Sequence, residues 1–116
     1  MLLERKELTD SETSEMIIEA LYESSNIIKS MYLPAKKTLF IIFRKGFVYS
    51  YSNVDNELYV GFEVADSQGI YFSKNISKNA NCLYYKEYKL YEFEKMDIFK
   101  LIEERKQILK EDGNKS

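Results

Sequence analysis

A segment in the middle of the chain, residues 67–75, combines side chains that suit an anionic ligand. Gly69 lets a ligand approach the backbone closely, and the hydroxyl of Ser73 and the amide of Asn75 can bind phosphate or ribose oxygens. Phe72 stands beside them. Its ring either stacks on a purine base or fills the hydrophobic core, and the sequence leaves both alternatives open.

Two of the three arginines are placed where they could bind phosphate. Arg105 follows Ile98 by seven residues and therefore lies on the apolar stripe of a predicted helix, where an unpaired charge is costly. Its guanidinium either reaches water at the edge of the stripe or binds a phosphate through two parallel hydrogen bonds. Arg44, at the mouth of a predicted hairpin, is suited to the same task.

Tyr49 and Tyr51 form an aromatic pair on a predicted strand. Side chains two residues apart on a strand point to the same face, so the two rings lie side by side. They either stack on bases and wall a binding site, or cover the sheet beneath a helix.

The groups that most catalytic mechanisms need are missing from the sequence. It contains no histidine, so neither a Ser-His-Asp nor a Cys-His relay can form. It has no Cys/His metal spacing and no glycine-rich phosphate loop of the dinucleotide or Walker type. The one cysteine, Cys82, is expected to be a small buried hydrophobic residue. We therefore predict a binding protein rather than an enzyme, with no cofactor and no metal.

Length and composition predict a single domain. The chain has 116 residues, 45% of them hydrophobic, and a net charge of −2, which gives no global positive field to attract nucleic acid. No apolar run approaches the roughly 20 residues that cross a bilayer, and the first residues lack the apolar core of a signal peptide. We expect a cytoplasmic protein with no membrane partner.

Hydrophobic periodicity predicts a mixture of helices and strands. Ile17, Ala20 and Leu21 have helical spacing, which predicts an N-terminal helix over 10–23, and a longer amphipathic pattern predicts a C-terminal helix over 95–110. The other predicted elements are strands over 26–33, 38–43 and 47–51, a helix over 54–65, a loop or short helical turn over 70–79 and an extended segment over 83–93.

Many of these residues stand in runs that resemble the KTSC domain. This domain is named for the C-terminus of some lysyl-tRNA synthetases and also occurs alone in bacteria and phages. The resemblance covers about residues 24–91, and the runs that carry it are Ser24-Ser25-Asn26-Ile27, Lys37-Thr38-Leu39 to Phe43-Arg44-x-Gly46, Val48-Tyr49-Ser50-Tyr51 and Ala65-Asp66-Ser67-x-Gly69-x-x-Phe72-x-Lys74-Asn75-Ile76. Where the family has a Tyr-Pro-like stretch, this chain has Asn81-Cys82-Leu83-Tyr84.

The resemblance implies a small antiparallel sheet with a helix across it, and an RNA-binding role. We therefore predict an α+β fold in which a KTSC-like core, about 24–93, carries the N-terminal and C-terminal helices predicted above. That layout is similar to the Thoeris anti-defence 1 proteins of phages, which sequester cyclic ADP-ribose-type signals made by bacterial TIR enzymes. The similarity implies a homodimer or higher homo-oligomer whose ligand lies between subunits, under the C-terminal helix and against the Phe72 loop.

Three functions follow as hypotheses. The first is sequestration of a cyclic nucleotide signal, with Phe72 on the base, Arg44 and Arg105 on phosphates, and Ser73, Asn75 and Tyr49 on ribose or phosphate edges. A symmetric dimer would then bury the apolar stripe of the last helix. The second is an RNA-binding module of the lysyl-tRNA synthetase type that uses the Tyr49 and Tyr51 face. The third is a protein–protein adaptor that docks its amphipathic helices on a partner.

Overall fold

Six strands form one antiparallel sheet in a computed structural model that describes residues 1–113. The strands lie side by side in chain order, so every neighbouring pair is antiparallel. They are β1 (Leu2–Thr9), β2 (Met16–Tyr22), β3 (Ile27–Leu33), β4 (Thr38–Phe43), β5 (Phe47–Tyr51) and β6 (Tyr84–Lys89). The predicted α+β class is confirmed.

Helices lie between β5 and β6 and after β6. They are α1 (Asn56–Glu63), α2 (Gln68–Tyr71), a π-helix (Phe72–Ser77) and α3 (Glu92–Gly113), and a short 3₁₀ turn (Pro34–Lys36) joins β3 to β4. The α1 helix begins where the sequence indicates, because the Asp55 carboxylate accepts a hydrogen bond from Leu58 N at 2.8 Å and caps the first turn. No helix among residues 1–113 is long and apolar enough to span a membrane.

One face of the sheet is covered by α1 and the π-helix. Tyr59 of α1 stacks on Tyr32 of β3, with ring centroids 4.1 Å apart, and Phe62 meets Tyr22 edge to face. Ile76 of the π-helix joins the same core, which is fully buried at its centre. We call this side of the sheet the helical face.

The opposite face is covered by α3. Ile102 of α3 is buried against Leu21, Ile28 and Val48, which belong to β2, β3 and β5. Burying an isoleucine side chain stabilises a fold by about 1.5–3 kcal/mol, so the apolar stripe of α3 is held by its own sheet. No second copy is needed to cover Ile102, whereas Ile108 and Leu109 near the end of α3 remain exposed, and the dimer expected from the sequence stays a prediction. We call this side the α3 face.

The predicted N-terminal helix over 10–23 is wrong, because this region is a β-hairpin. Asp10 accepts hydrogen bonds from the backbone amides of Glu12 and Thr13, which stabilise the turn between β1 and β2. In β2 the even-numbered residues from Ile18 face α1, while Leu21 packs under α3. A strand buried on both faces loses its alternation of apolar and polar residues, which explains why a helical spacing fitted it.

Smaller differences lie after β5. The segment 70–79, predicted as a loop or short helical turn, is mostly helical and contains the end of α2 and the π-helix. The extended segment predicted over 83–93 is shorter, because β6 ends at Lys89 and α3 begins at Glu92. The C-terminal helix predicted over 95–110 is present and is longer than expected.

Candidate functional site

The residues predicted to bind a ligand lie mainly on α2 and the π-helix. Ser67 caps α2 by accepting a hydrogen bond from Ile70 N at 3.2 Å. Phe72 and Ile76 are buried anchors of the π-helix, while the three residues between them, Ser73 to Asn75, are exposed. A π-helix is rare and often marks a functional site. In this protein the π-helix exposes Ser73 to Asn75, while its buried residues Phe72 and Ile76 hold it on the sheet.

Tyr71 docks this segment onto α1. Its hydroxyl donates a hydrogen bond to Leu58 O at 3.2 Å and lies against Gly61, where an added Cβ would be 2.7 Å from Tyr71 Cζ. A glycine in the middle of a helix weakens it by about 1 kcal/mol relative to alanine. At Gly61 the missing side chain makes room for the tyrosine.

A groove of about 300 Å³ runs along the exposed side of this segment. Seven residues line it, and we call it the motif groove: Ala65, Asp66, Ser67, Ile70, Tyr71, Lys74 and Asn75. Asn75 donates a hydrogen bond from Nδ2 to Tyr71 O at 3.1 Å, which fixes its amide. Most of the groove surface is apolar, and its lining residues also carry an ammonium, an amide, a hydroxyl and the Asp66 carboxylate. This combination suits a sugar phosphate better than a bare anion.

Phe72 is in the core, the second of the two alternatives that the sequence left open. Only 8% of it is exposed, and its ring meets Phe43 and Tyr51 edge to face at centroid distances of 5.6 and 5.1 Å. Within one chain the ring has no open face on which a base could stack. Phe72 supports the motif groove from beneath.

Tyr49 and Tyr51 point to the helical face, as the strand geometry predicts, but they differ in exposure. Tyr51 is buried, and this burial raises the pKa of its hydroxyl to about 12. Tyr49 is half-buried and lies parallel to Tyr84, with centroids 6.0 Å apart. The aromatic surface on this face is thus Tyr49 with Tyr84, and Tyr51 belongs to the sheet core.

Arg44 lies on the α3 face. Its Nη2 and Nε donate hydrogen bonds to the carbonyl oxygens of Ser24 and Ser25 at 2.8 and 3.2 Å, and its guanidinium lies 5.4 Å from the ring centroid of Phe99. Arg44 therefore ties the β4–β5 hairpin to the β2–β3 turn and to α3.

Arg105 also lies on the α3 face. Its Nε is 2.9 Å from Glu4 Oε2, and this carboxylate raises the pKa of the guanidinium. Of the two readings of its position, the structure shows the one in which the side chain extends along the edge of the apolar stripe. Arg105 thereby links α3 to β1.

The six predicted ligand-binding residues thus divide between the two sides of one sheet. Phe72, Ser73, Asn75 and Tyr49 are on the helical face, whereas Arg44 and Arg105 are on the α3 face. The first four share a face of the sheet, although Asn75 lines the motif groove and Tyr49 does not, and neither arginine lies on that face within a single chain.

A second groove on the helical face was not predicted. It encloses about 290 Å³ beside the β4–β5 hairpin, and we call it the hairpin groove: Asn26, Phe43, Lys45, Phe47 and Tyr49 line it. Tyr49 is the one predicted ligand residue in this set. The sequence feature that indicates this groove is the alternate spacing of Phe43, Lys45 and Phe47 around the turn. A charged hairpin turn is more often solvent-exposed surface without a binding role, so this spacing alone does not predict a site.

Metal binding has no visible support. Within residues 1–113 no three His, Cys, Asp or Glu side chains are grouped so that they could hold an ion. Cys82 is buried, and desolvation raises the pKa of its thiol, which disfavours the reactive thiolate.

Comparison with known proteins identifies a family match in the middle of the chain. The KTSC domain family model matches residues 23–79, the region from β3 through the π-helix. The crystal structure of a KTSC domain protein from Yersinia pestis is similar at 28% sequence identity with a TM-score of 0.56, and the alignment covers 60% of this chain and 96% of that protein. No curated protein matches the chain. The β1–β2 hairpin, β6 and α3 lie outside the matched family region.

Proposed function

Because this chain belongs to the KTSC domain family, we propose that its added elements adapt the domain to capture a cyclic ADP-ribose-type nucleotide. In this proposal the protein sequesters the signal of a TIR-based antiphage defence and does not change it chemically. The observation that carries the proposal is the exposed run Ser73-Lys74-Asn75 between two buried anchors, because Lys74 and Asn75 of this run line the motif groove.

The chemistry of the motif groove fits a nucleotide. Lys74 offers a charge for a phosphate, and the amide of Asn75 and the hydroxyl of Ser67 offer neutral partners. A carboxylate such as Asp66 is the usual partner of ribose hydroxyls in dinucleotide sites. A nanomolar dissociation constant requires about 12 kcal/mol of binding free energy and no reactive group.

In this proposal Arg44 and Arg105 act across a subunit boundary. They lie on the far side of the sheet from the motif groove of their own chain, so they contact phosphates held by a second copy. Exposed aromatic and apolar side chains at the start of α3 and on β6 provide a surface for such an association: Tyr85, Tyr88, Tyr91, Phe93 and Met96. A homo-oligomer is part of this proposal.

Ligand release is the direct test of sequestration. Purified protein would be incubated with a mixture of cyclic ADP-ribose isomers, ADP-ribose and cyclic dinucleotides, washed and heat-denatured, and the released compounds identified by mass spectrometry. We expect a cyclic ADP-ribose isomer to be released unchanged. If no such isomer is retained and calorimetry detects no binding, the proposal is wrong.

Replacing Arg105 separates a ligand role from a structural one. Arg105→Ala should abolish binding of the cyclic ADP-ribose isomer without unfolding the protein, because the pair with Glu4 is partly solvated. Glu4→Gln is the matched control, since it weakens the same ion pair but keeps the guanidinium. Calorimetry should show lost binding in the first variant and retained binding in the second. Equal affinities in both would contradict the role assigned to Arg105.

An RNA-binding function is the second candidate, and one observation favours it. The strand β6 lies at the edge of the sheet, and all six of its side chains are exposed, with the sequence Tyr-Tyr-Lys-Glu-Tyr-Lys. Exposed aromatic rings beside lysines are what single-stranded nucleic acid binders use to stack bases and neutralise phosphates. The acidic balance of the whole chain opposes it, since the estimated pI is 5.3.

Salt dependence tests this candidate. Binding to tRNA or single-stranded RNA should weaken steeply as salt rises, because lysine–phosphate contacts release counterions. Tyr85→Ala and Tyr88→Ala should each weaken binding, while Val64→Ala, an exposed position at the end of α1, should not. Absence of a complex at low salt in a gel-shift experiment would remove the RNA function.

A further inference from the structure

The hairpin groove lies on the same side of the sheet as the motif groove. The Phe72 ring packs edge to face against Phe43, which lines the hairpin groove. Phe72 is also the first residue of the π-helix, which contributes Lys74 and Asn75 to the motif groove. The two grooves therefore share one aromatic support. A ligand with an aromatic ring at one end and a sugar phosphate at the other matches such a pair.

The walls of the hairpin groove are fixed aromatic rings. Phe43 meets Tyr49 edge to face at 5.7 Å, and Tyr49 lies parallel to Tyr84. Phe47, which also lines the groove, is 42% exposed, and the Nζ of Lys89 is 5.0 Å from its ring centroid. A planar ring that enters here meets π-faces already held by their neighbours, so little side-chain entropy is lost on binding.

Two of the residues that line the hairpin groove, Asn26 and Lys45, have polar side chains. The Asn26 side-chain amide and the Lys45 ammonium have no hydrogen-bond or ion-pair partner among the residues that the structure describes. The backbone of Asn26 is nevertheless fixed, because its carbonyl accepts a hydrogen bond from Arg44 N at 2.7 Å. The free amide presents one donor group and one acceptor, the pattern that pairs with the N6 and N7 edge of adenine.

We infer that the hairpin groove is the base subsite of the ligand site, and that it takes an adenine-type purine. The base lies between Phe47 and the Phe43–Tyr49 wall, Asn26 reads its edge, and Lys45 contacts a phosphate attached to it. This inference rests on the proposed function, and it transfers base recognition from Phe72, which is buried, to residues that are open.

Adenosine 5′-monophosphate is the probe for the groove itself. Backbone amide shifts of the full chain would be followed by NMR during titration with this compound and, separately, with ribose 5-phosphate. We expect the nucleotide to shift the amides of Asn26 and of residues 43–49, and ribose 5-phosphate to shift at most that of Lys45, because the base supplies the other contacts. Shifts of equal size with both compounds, or none at these positions, would overturn the inference.

Two variants test whether the groove serves the proposed ligand. Asn26→Ala and Phe47→Ala remove an exposed amide and a partly exposed ring, and each should lower affinity for the cyclic ADP-ribose isomer at least tenfold. Val64→Ala is the matched control, and circular dichroism would establish that all three variants fold.

The outcomes separate the inference from the proposed function. Unchanged affinity in both groove variants, with tight binding by the natural chain, would overturn the base subsite and leave sequestration standing. Failure of the natural chain to bind the cyclic compound, together with nucleotide-specific shifts in the groove, would overturn sequestration and leave the purine site standing.

Discussion

The fully buried tyrosines differ in how their hydroxyl groups are satisfied. The hydroxyls of Tyr22 and Ser30 share a hydrogen bond at 2.7 Å, and Tyr32 donates one to Val54 O at 2.7 Å. Tyr59 Oη is the one buried side-chain oxygen or nitrogen that makes no hydrogen bond of good geometry among the described residues, although the Tyr22 hydroxyl and the Glu63 carboxylate lie near it. A buried polar group without a partner costs about 1–3 kcal/mol, so this hydroxyl is a cost to the fold.

Removing this hydroxyl should therefore stabilise the protein. We expect Tyr59→Phe to raise the free energy of unfolding by up to about 1 kcal/mol, because the ring and its stacking on Tyr32 are kept while the unpaired oxygen is lost. Tyr22→Phe is the matched control and should lower it by about 1 kcal/mol, because Ser30 loses its partner. Urea unfolding measures both, and a destabilising Tyr59→Phe would contradict the assignment.

The elements near the family core follow from local patterns. The strands β4 and β5 and the helix α1 were predicted almost in full, and local features stabilise them in the structure: the apolar run of β4, the glycine in the β4–β5 turn, with φ +98°, and the cap at Asp55. The N-terminal hairpin was not predictable in the same way. The apolar residues of β2 fit the spacing of a helix as well as that of a strand buried on both faces. Which of the two forms depends on α3, which packs on β2 and lies more than seventy residues away along the chain.

The contact between α1 and α2 gives a prediction for these elements. Gly61→Ala should destabilise the protein, because the new Cβ overlaps the Tyr71 ring and displaces its hydroxyl from Leu58 O. With Tyr71→Ala already present the overlap is gone, and the same change should stabilise the protein by about 1 kcal/mol through helix propensity. Unfolding free energies of the four chains decide this, and the same sign in both backgrounds would disprove the packing role of Gly61.

At the scale of the whole molecule, the sequence identifies ligand-type residues but not which side of the sheet they occupy. Asn75 and Tyr49 were predicted to share a site and do lie on one face, because a strand and a connected helical segment fix that relation. Arg105 was predicted to join them, and lies opposite. The apolar stripe of the C-terminal helix indicates that this helix packs on an apolar surface. Both faces of the sheet are apolar, so the periodicity of the sequence could not show which face the helix covers.

Tyrosines buried on the helical face should set the alkaline limit of stability. Burial raises the pKa of Tyr51 to about 12 and raises that of Tyr22 and Tyr59 as well, from an ordinary value of 10.0. The folded state keeps these protons when the unfolded state has lost them. Stability should therefore be intact below about pH 10 and fall as the pH rises toward 12.

This pH dependence is measurable by two signals. Part of the phenolate absorbance should appear while circular dichroism is unchanged, and the part that comes from the buried Tyr22, Tyr51 and Tyr59 should appear together with loss of structure. Tyr51→Phe should move this second part to higher pH. A single absorbance step with all tyrosines titrating in the folded state would contradict the assigned burial.

The position of α3 has a consequence for dividing this protein. The family region ends before β6, yet three of its core residues, Ile28, Ile42 and Val48, are sheltered by a helix that lies outside it. A fragment cut at the limits of the family match would expose a hydrophobic sheet surface to water and leave unpaired edge strands on both sides. Such fragments tend to aggregate. The flanking elements thus cover the α3 face and the edges of the family-matched region, and a soluble shortened version would have to keep both or replace Ile28, Ile42 and Val48 with polar residues.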